Sequence, residues 1–516
     1  MLPISVLLLV IIFLIVLQNY VRKHSYYWKK LSEFPGDPPL PLIGNMLQLG
    51  FDSDEMHLTL MSMWKRHGKQ NFRLNIGSKN WIMLTNEDDV KTLLNHTKEL
   101  SKPSPRNKSM MYFFGMSVSS SEGERWRLTR KLMSASLSNS TLASQVHFIN
   151  DYSKQLFNHL DNFVDKNEVD FYKYLMPYTL DIIIETLMGV DSSFLNDLDN
   201  IYMKESGKAV RILTENMFSY WRGNTPLFEI TPMYREMINC ASVFRSYSMK
   251  VINKRKEILR EKGNLIREDN LEDLFIKNGD IHESEFAEIR RDEYGGFLDN
   301  LLLCQDYKGG SFSDEMICDE LTLITFAGHY SISVTISHAL FCMAKYPEVQ
   351  KKVHEEQKYI LKNNISSEID IQDLHEMKFL EAVMKEAIRF IPTITSIGRE
   401  LQNDLQFQDG RVAPAGTILA VFYEALYHNE EAYPEPENFN PERFLDPINK
   451  FSFVPFSAGP RGCVGYRFAW MTMKATLSHL LRRYEFFPGD SEPQFVARMV
   501  TESKNGVKLK LRRRIC

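Results

Sequence analysis

Six cysteines are spread along this 516-residue chain, and Cys463 stands in a setting that the others lack. Residues 455–468 read PFSAGPRGCVGYRF, so the thiol sits among glycines, prolines and arginines just ahead of an apolar helical pattern. Gly459, Gly462 and Gly465 permit tight turns and let a flat ligand come close to the backbone. The run VGYRFAWMTMKATLSHLLRRYEF reads as an amphipathic helix beginning just after the cysteine. A helix start directs N–H groups and positive partial charge at the sulfur, which favours a thiolate, the form that binds iron. The chain has no CxxC pair and no spacing that fits a zinc ribbon or a disulfide framework. Cys463 therefore acts alone, as a metal ligand, a nucleophile or a buried thiol in a glycine-rich turn.

Three further stretches could do chemistry. KEAIRFIP sets Glu386 and Arg389 three residues apart on one helix face; alone, such a pair is a solvated bridge. ERWRLTRK carries Trp126 and Arg130, the pattern of an amphipathic surface helix. TLITFAGHYSISVT (322–335) lies in the middle of the longest helical pattern, about Asp314 to Met343. There Ser331 either presents a hydroxyl to a site or bonds to its own helix. His329 reads as a packing residue.

FSAGPRGCVG resembles the F-x-x-G-x-R-x-C-x-G haem loop of the cytochrome P-450 superfamily, with Phe456, Gly459, Arg461, Cys463 and Gly465 in register. The resemblance implies that Cys463 is the axial ligand of haem iron, where thiolate donation favours O–O cleavage. It makes Glu386 and Arg389 the family's E-x-x-R pair and Arg443, in FNPERF, the third member of a structural network. It makes Trp126 and Arg130 contacts of the haem propionates, with Arg399 and Arg461 as further ones; guanidinium–carboxylate pairs suit a dianionic cofactor. In the long helix the family places A/G-G-x-D/E-T-T/S over the haem. This chain keeps Ala327 and Gly328, has Tyr330 at the acid position and keeps a hydroxyl at Ser331. Tyrosine is not acidic near neutral pH, so the departure bears on proton delivery. YPEPENFNPERF and the haem loop look most like the microsomal fatty-acid-hydroxylase group and its insect relatives. Some of that group attach haem through a glutamate where this chain has Ala327, so haem b (iron protoporphyrin IX) is expected to be non-covalent.

The elements that must position these residues are mostly helical. NFRLNIGSKNWIMLT (71–85) alternates around Gly77-Ser78 like a hairpin, and a second is expected at 404–422, turning at Asp409-Gly410. Residues 262–297 are charge-rich and irregular, and read as an exposed connection. The expected fold class is mainly α (α+β), a helix-rich body with a small β region. From Leu2 to Val21 no residue is charged, and Arg22, Lys23, Lys29 and Lys30 follow. Twenty residues span about 30 Å, so 1–21 is expected to be a transmembrane anchor with the body on the cytosolic side. Residues 22–45, basic and proline-rich, are expected to form a hinge, and 46–516 the haem-thiolate catalytic domain.

Apolar residues make up 44% of the chain, and 62 basic against 66 acidic residues leave a net charge of −4, which gives no support to nucleic-acid binding. The expected function is a monooxygenase of the endoplasmic reticulum membrane that inserts one atom of O2 into an apolar small molecule. Electrons would come from NADPH through NADPH-cytochrome P-450 reductase, with cytochrome b5 as a further partner. The resemblance places a docking patch at Arg125, Arg127, Lys131, Arg467, Lys474, Arg482 and Arg483; the alternative is a solvated charged face. It places the pocket walls at 106–121, 322–331 and 393–398. Tyr330 keeps two rivals open: an enzyme of the same superfamily that rearranges peroxides, and a haem-binding protein with little turnover.

Overall fold

Residues 314–345 contain no proline and one glycine, and they form a single helix, Asp314–Lys345. Ser313 caps it by accepting the Met316 N–H; Asp314 and Glu315 stand in its first turn and Lys345 in its last, each on the favourable end of the helix dipole. The helix is buried along most of its length, between helices Phe171–Met188 and Tyr466–Arg483. It thus forms the axis of the body, two residues longer than the sequence pattern indicated. The computed structural model describes residues 24–41, 43–50, 52, 54–218, 228–261, 296–304, 310–362, 364 and 367–514, with residues 12, 13, 16 and 20.

The helices share one large apolar core, and a second core lies where the sheet meets the helix Lys378–Phe390. The hairpin at 71–85 is present as Phe72–Ile76 and Lys79–Leu84. The second expected hairpin is split. Leu405–Gln406 and Val412–Ala413 pair around Asp409-Gly410, but Ile418–Phe422 leaves them and runs parallel to Lys79–Leu84 and antiparallel to Ser396–Glu400. All five residues of Ile418–Phe422 are buried, as suits a central strand covered on both faces. A smaller sheet sets Lys508–Arg513 between Val169–Asp170 and Tyr484–Pro488.

The segment expected to hinge is packed down. Leu31 and Phe34 are buried in the second core, Phe34 meets Phe407 edge-on at 5.8 Å, and Arg411 lies over its ring at 4.6 Å. Among the described residues no helix is long and apolar enough to cross a membrane. The expected anchor, 2–21, lies outside them except for Ile12, Phe13, Val16 and Tyr20, which are helical and exposed. The charge-rich connection 262–297 also lies outside them, except for its last two residues.

Candidate active site

The loop carrying Cys463 is held by its own backbone. Ser457 N–H donates to Val454 O at 2.9 Å, Gly462 N–H to Gly459 O at 3.0 Å, and Cys463 N–H to Phe456 O at 2.8 Å. Gly459 has φ +67°, and a Cβ there would stand 1.9 Å from Leu94 O, so conformation and space both demand glycine. At Gly465 a Cβ would meet no protein atom within 4 Å; this glycine borders a cavity. The helix Tyr466–Arg483 starts immediately after it. Phe456 also borders the cavity and packs edge-on against Trp470 at 5.5 Å.

Cys463 lies deep in the protein and is exposed toward that cavity. The helix start was expected to lower its pKa. Instead burial pushes the thiol up, and the Gly465 N–H and the Arg130 charge only partly oppose this. A coordinated metal cation would favour the thiolate.

The cavity measures about 400 Å³ and extends from the cysteine to Ala327, Gly328 and Ser331 on the long helix. Its walls include Met110, Phe114, Val118, Leu323, Met499 and Val500. With Ile394 and Ile397, which also line it, they represent the three stretches expected from the resemblance; Met499, Val500, Ile183 and Leu187 come from outside those stretches. Lys102, Arg106, Arg130, Arg399 and Arg461 also line it, and among the described residues no acidic side chain does. Burial pushes Lys102 and Arg106 down, and it lowers Arg399 and Arg461 to about 10, with neighbouring cations adding to it. Arg461 lies 4.0 Å over the Trp126 ring and donates to Ser121 O at 3.0 Å; Arg399 donates to Gly398 O at 2.8 Å. The buried Arg106 Nε, Arg461 Nε, Tyr423 Oη and Ser457 Oγ have no hydrogen-bond partner among the described residues.

On the long helix, Ser331 Oγ donates to Ala327 O at 2.8 Å while facing the cavity. Gly328 has a packing duty besides: a Cβ there would stand 2.6 Å from Ile183 Cδ1 of the adjoining helix. His329 turns away and is fully buried, its Nδ1 2.5 Å from Thr325 O, and burial lowers it to about 4. Tyr330 borders the cavity and donates its hydroxyl to Glu502. One turn or more toward the N-terminus, Asp319 and Glu320 accept the Met116 and Val118 N–H groups, each at 2.9 Å. These bonds hold the cavity wall formed by residues 110–118 against the helix.

Glu386 and Arg389 are completely buried and joined twice, Nε to Oε2 at 2.7 Å and Nη2 to Oε1 at 2.9 Å. Arg443 Nε adds a contact at 3.2 Å, and Asn440 N–H donates to the same carboxylate at 2.8 Å. Arg389 also reaches Tyr427 O at 3.1 Å. Much of the expected docking patch is engaged elsewhere. Lys474 is buried and bonded to Glu381, Arg482 is buried, and Arg483 pairs with Asp161, while Arg125 stands 3.6 Å from Asp319. Arg127 and Arg467 stay exposed, the latter 5.2 Å over the Tyr466 ring.

A family model described as Cytochrome P450 matches residues 34–511. The chain belongs to the cytochrome P450 family. Similar curated proteins include the probable cytochrome P450 4d20 of Drosophila melanogaster, 30% identical over 94% of this chain and 93% of that protein. Probable cytochrome P450 4s3 of the same fly is 29% identical over 93% of both, and its cytochrome P450 4c3 is 27% identical over 99% of this chain and 94% of its own. P450s are monooxygenases with haem as cofactor, and they generally work with a redox partner, O2 and hydrophobic substrates. The residues here fit that group. Five cations, Arg399 buried and the other four half-buried, face one cavity with no acid among the described lining residues, and unbonded guanidinium and hydroxyl groups sit among them, as a dianionic flat cofactor requires. Sequence reasoning missed Lys102 and Tyr423 as parts of this set and took Arg106 only as pocket wall; the one signal was the basic run in SKPSPRNK.

Proposed function

We propose that this P450 is a membrane-bound monooxygenase that inserts one atom of O2 into a C–H bond of an apolar substrate. The observation that carries this is a single cavity in which Cys463 and the Ala327–Ser331 turn face each other between apolar walls, with cations on one side and no acid among the described lining residues. Bound haem supplies the iron chemistry that activates dioxygen. Cys463 Sγ would bind the haem iron, and Gly465, which borders the cavity where a Cβ would meet nothing, would leave room for the cofactor, while Gly459 fits the turn against Leu94 O. Lys102, Arg106, Arg130, Arg399 and Arg461, with Trp126 and the Tyr423 hydroxyl, would hold the propionates. Ala327 offers no carboxylate, so the cofactor is held without a covalent ester. The apolar walls align the substrate and exclude bulk water, and Gly328 and Ser331 border the oxygen site, where the serine hydroxyl can hold a proton. Glu386, Arg389 and Arg443 brace the segment leading to the cysteine loop.

NADPH supplies the electrons through a reductase. Arg127 and Arg467 on the cysteine side suit an acidic partner, since opposite charge raises the encounter rate. The uncharged stretch 2–21 followed by basic residues supports an anchor in the endoplasmic reticulum membrane with the body in the cytosol. Reconstitution with reductase, NADPH and a panel of lipids and other apolar compounds tests the activity, with product matching NADPH consumed. Turnover of hydroperoxides without NADPH would instead establish the rearranging reaction. In Cys463→Ala, the carbon monoxide difference spectrum is expected to lose its thiolate-type Soret band; its retention would refute the axial assignment.

A further inference from the structure

The long helix has Tyr330 where an acid would stand, yet an acid is attached to it. Glu502, from the strand Thr501–Ser503 near the C-terminus, accepts the Tyr330 hydroxyl with Oε2. Its other oxygen accepts Arg498 Nη1 at 2.5 Å, and Arg498 grips Asp54 through Nε and Nη2 at 2.8 and 3.1 Å. Lys504, a further 2.9 Å on, stands 42% exposed and ends the row at the surface. Tyr330 is 2% exposed and Glu502 8%, so the pair is nearly sealed from bulk water, while Tyr330 borders the cavity one residue before Ser331. Thr501–Ser503 pairs with Phe495–Ala497 in a C-terminal hairpin, and Met499 and Val500 between the two strands form part of the cavity wall.

We propose that Glu502 supplies protons to the cavity through Tyr330, taking from the C-terminal hairpin the part that an acid on the long helix would play. This role rests on the monooxygenase reading. When Glu502 is ionised, the Tyr330 O–H is pinned to it. When Glu502 is protonated, the bond can invert: the carboxyl O–H donates to Tyr330 Oη, and the tyrosine proton is free to turn toward the cavity. One proton then leaves Tyr330 for an acceptor in the cavity as the carboxyl proton passes to Tyr330 Oη. Solvent returns one proton to Glu502, and no electron moves. Arg498 does not relay, because a guanidinium keeps its proton; it fixes the carboxyl and stabilises the carboxylate left behind. Burial raises the Glu502 carboxyl above the usual range, while Tyr330 and Arg498 oppose this and Asp54 adds to it. The group facing it from the helix Phe171–Met188 is Tyr172, whose hydroxyl accepts Ser503 N–H at 3.1 Å. A carboxyl raised in this way suits a general acid.

The test compares wild type with Glu502→Gln, Glu502→Asp and Tyr330→Phe. In Glu502→Gln, product per NADPH is expected to fall at least about tenfold, with the difference appearing as peroxide. Substrate affinity and the carbon monoxide spectrum should not change. Wild-type coupling should fall as pH rises through the carboxyl titration, the Gln variant should be flat, and Asp should recover part of the loss. If Glu502→Gln fails to fold, Tyr330→Phe, which leaves the Glu502–Arg498 pair intact, carries the test. Infrared spectra of the ferric protein at rest add a readout without turnover: a protonated-carboxyl band that Glu502→Gln removes and Tyr330→Phe shifts. Coupling equal to wild type in both Glu502→Gln and Tyr330→Phe, or no such band, overturns the proposal. A wild type that shows the band but consumes no NADPH refutes the monooxygenase reading while keeping the proton-bearing pair.

Discussion

The two sides of the cavity are built differently. On the cysteine side, the turn bonds and the helix start that shape the loop lie within 454–466, while the backbone oxygens of Leu94 and Ser121 meet it from elsewhere in the chain. On the opposite side, the polar partners come from far along the chain. Tyr330 meets Glu502, 172 residues away, and Met116 and Val118 meet Asp319 and Glu320 across about 200. A local device has one conformation to satisfy and can be recognised from a short run of residues. A device made of distant partners can change one member and recover the chemistry with another, as Tyr330 and Glu502 illustrate.

Breaking the local side should have the largest effect. Gly459→Ala places a Cβ against Leu94 O in a backbone conformation that L-residues avoid. The variant should purify without retained haem, read from the Soret absorbance per protein; normal haem content would show that the loop tolerates rearrangement. Glu386→Ala comes next, because it strands the fully buried Arg389. A loss of about 3–5 kcal/mol is expected in denaturant unfolding, against a smaller one for the partly exposed Arg443→Ala. Equal losses would mean that burial does not set the cost.

Lys102→Met should separate binding from folding. Removing one of several like charges ought to raise the melting temperature of the haem-free protein yet speed haem loss to an acceptor protein. A change in one direction for both would remove Lys102 from the cofactor set. The last prediction probes the long-range side. Burial pushes Glu320 from 4.5 up to about 8. Between those values the folded protein keeps a proton that the unfolded chain has released, so stability falls as pH rises through the window, by at most about 1.4 kcal/mol per pH unit. Glu320→Gln should flatten that slope in thermal melts run from pH 5 to about 8.

The Cys463 loop, the long helix and the first hairpin were legible because each rests on near neighbours: glycines at fixed offsets, a 3.6-residue apolar period, an alternating pair of strands around Gly77-Ser78. The second hairpin was only half legible. Ile418–Phe422 has the composition of a buried strand, but its partners lie in 79–84 and 396–400, and no local signal names them. The basic residues show the same limit. Arg482 and Arg483 read alike in sequence, yet one is buried and the other stacks on Phe157 beside Asp161. Lys102 and Arg106 sit in an ordinary basic run and nevertheless face the cofactor cavity.

The sequence by itself determined the family, the cysteine loop and the long helix that faces it, since steric demands at single glycines and a helical period act over a few residues. Only the tertiary structure decided which cations gather without counter-charge, which acids clamp the cavity wall, and that an acid reaches Tyr330 from the other end of the fold. Those outcomes depend on burial and on charges a few ångströms apart in space, and linear order does not carry that distance.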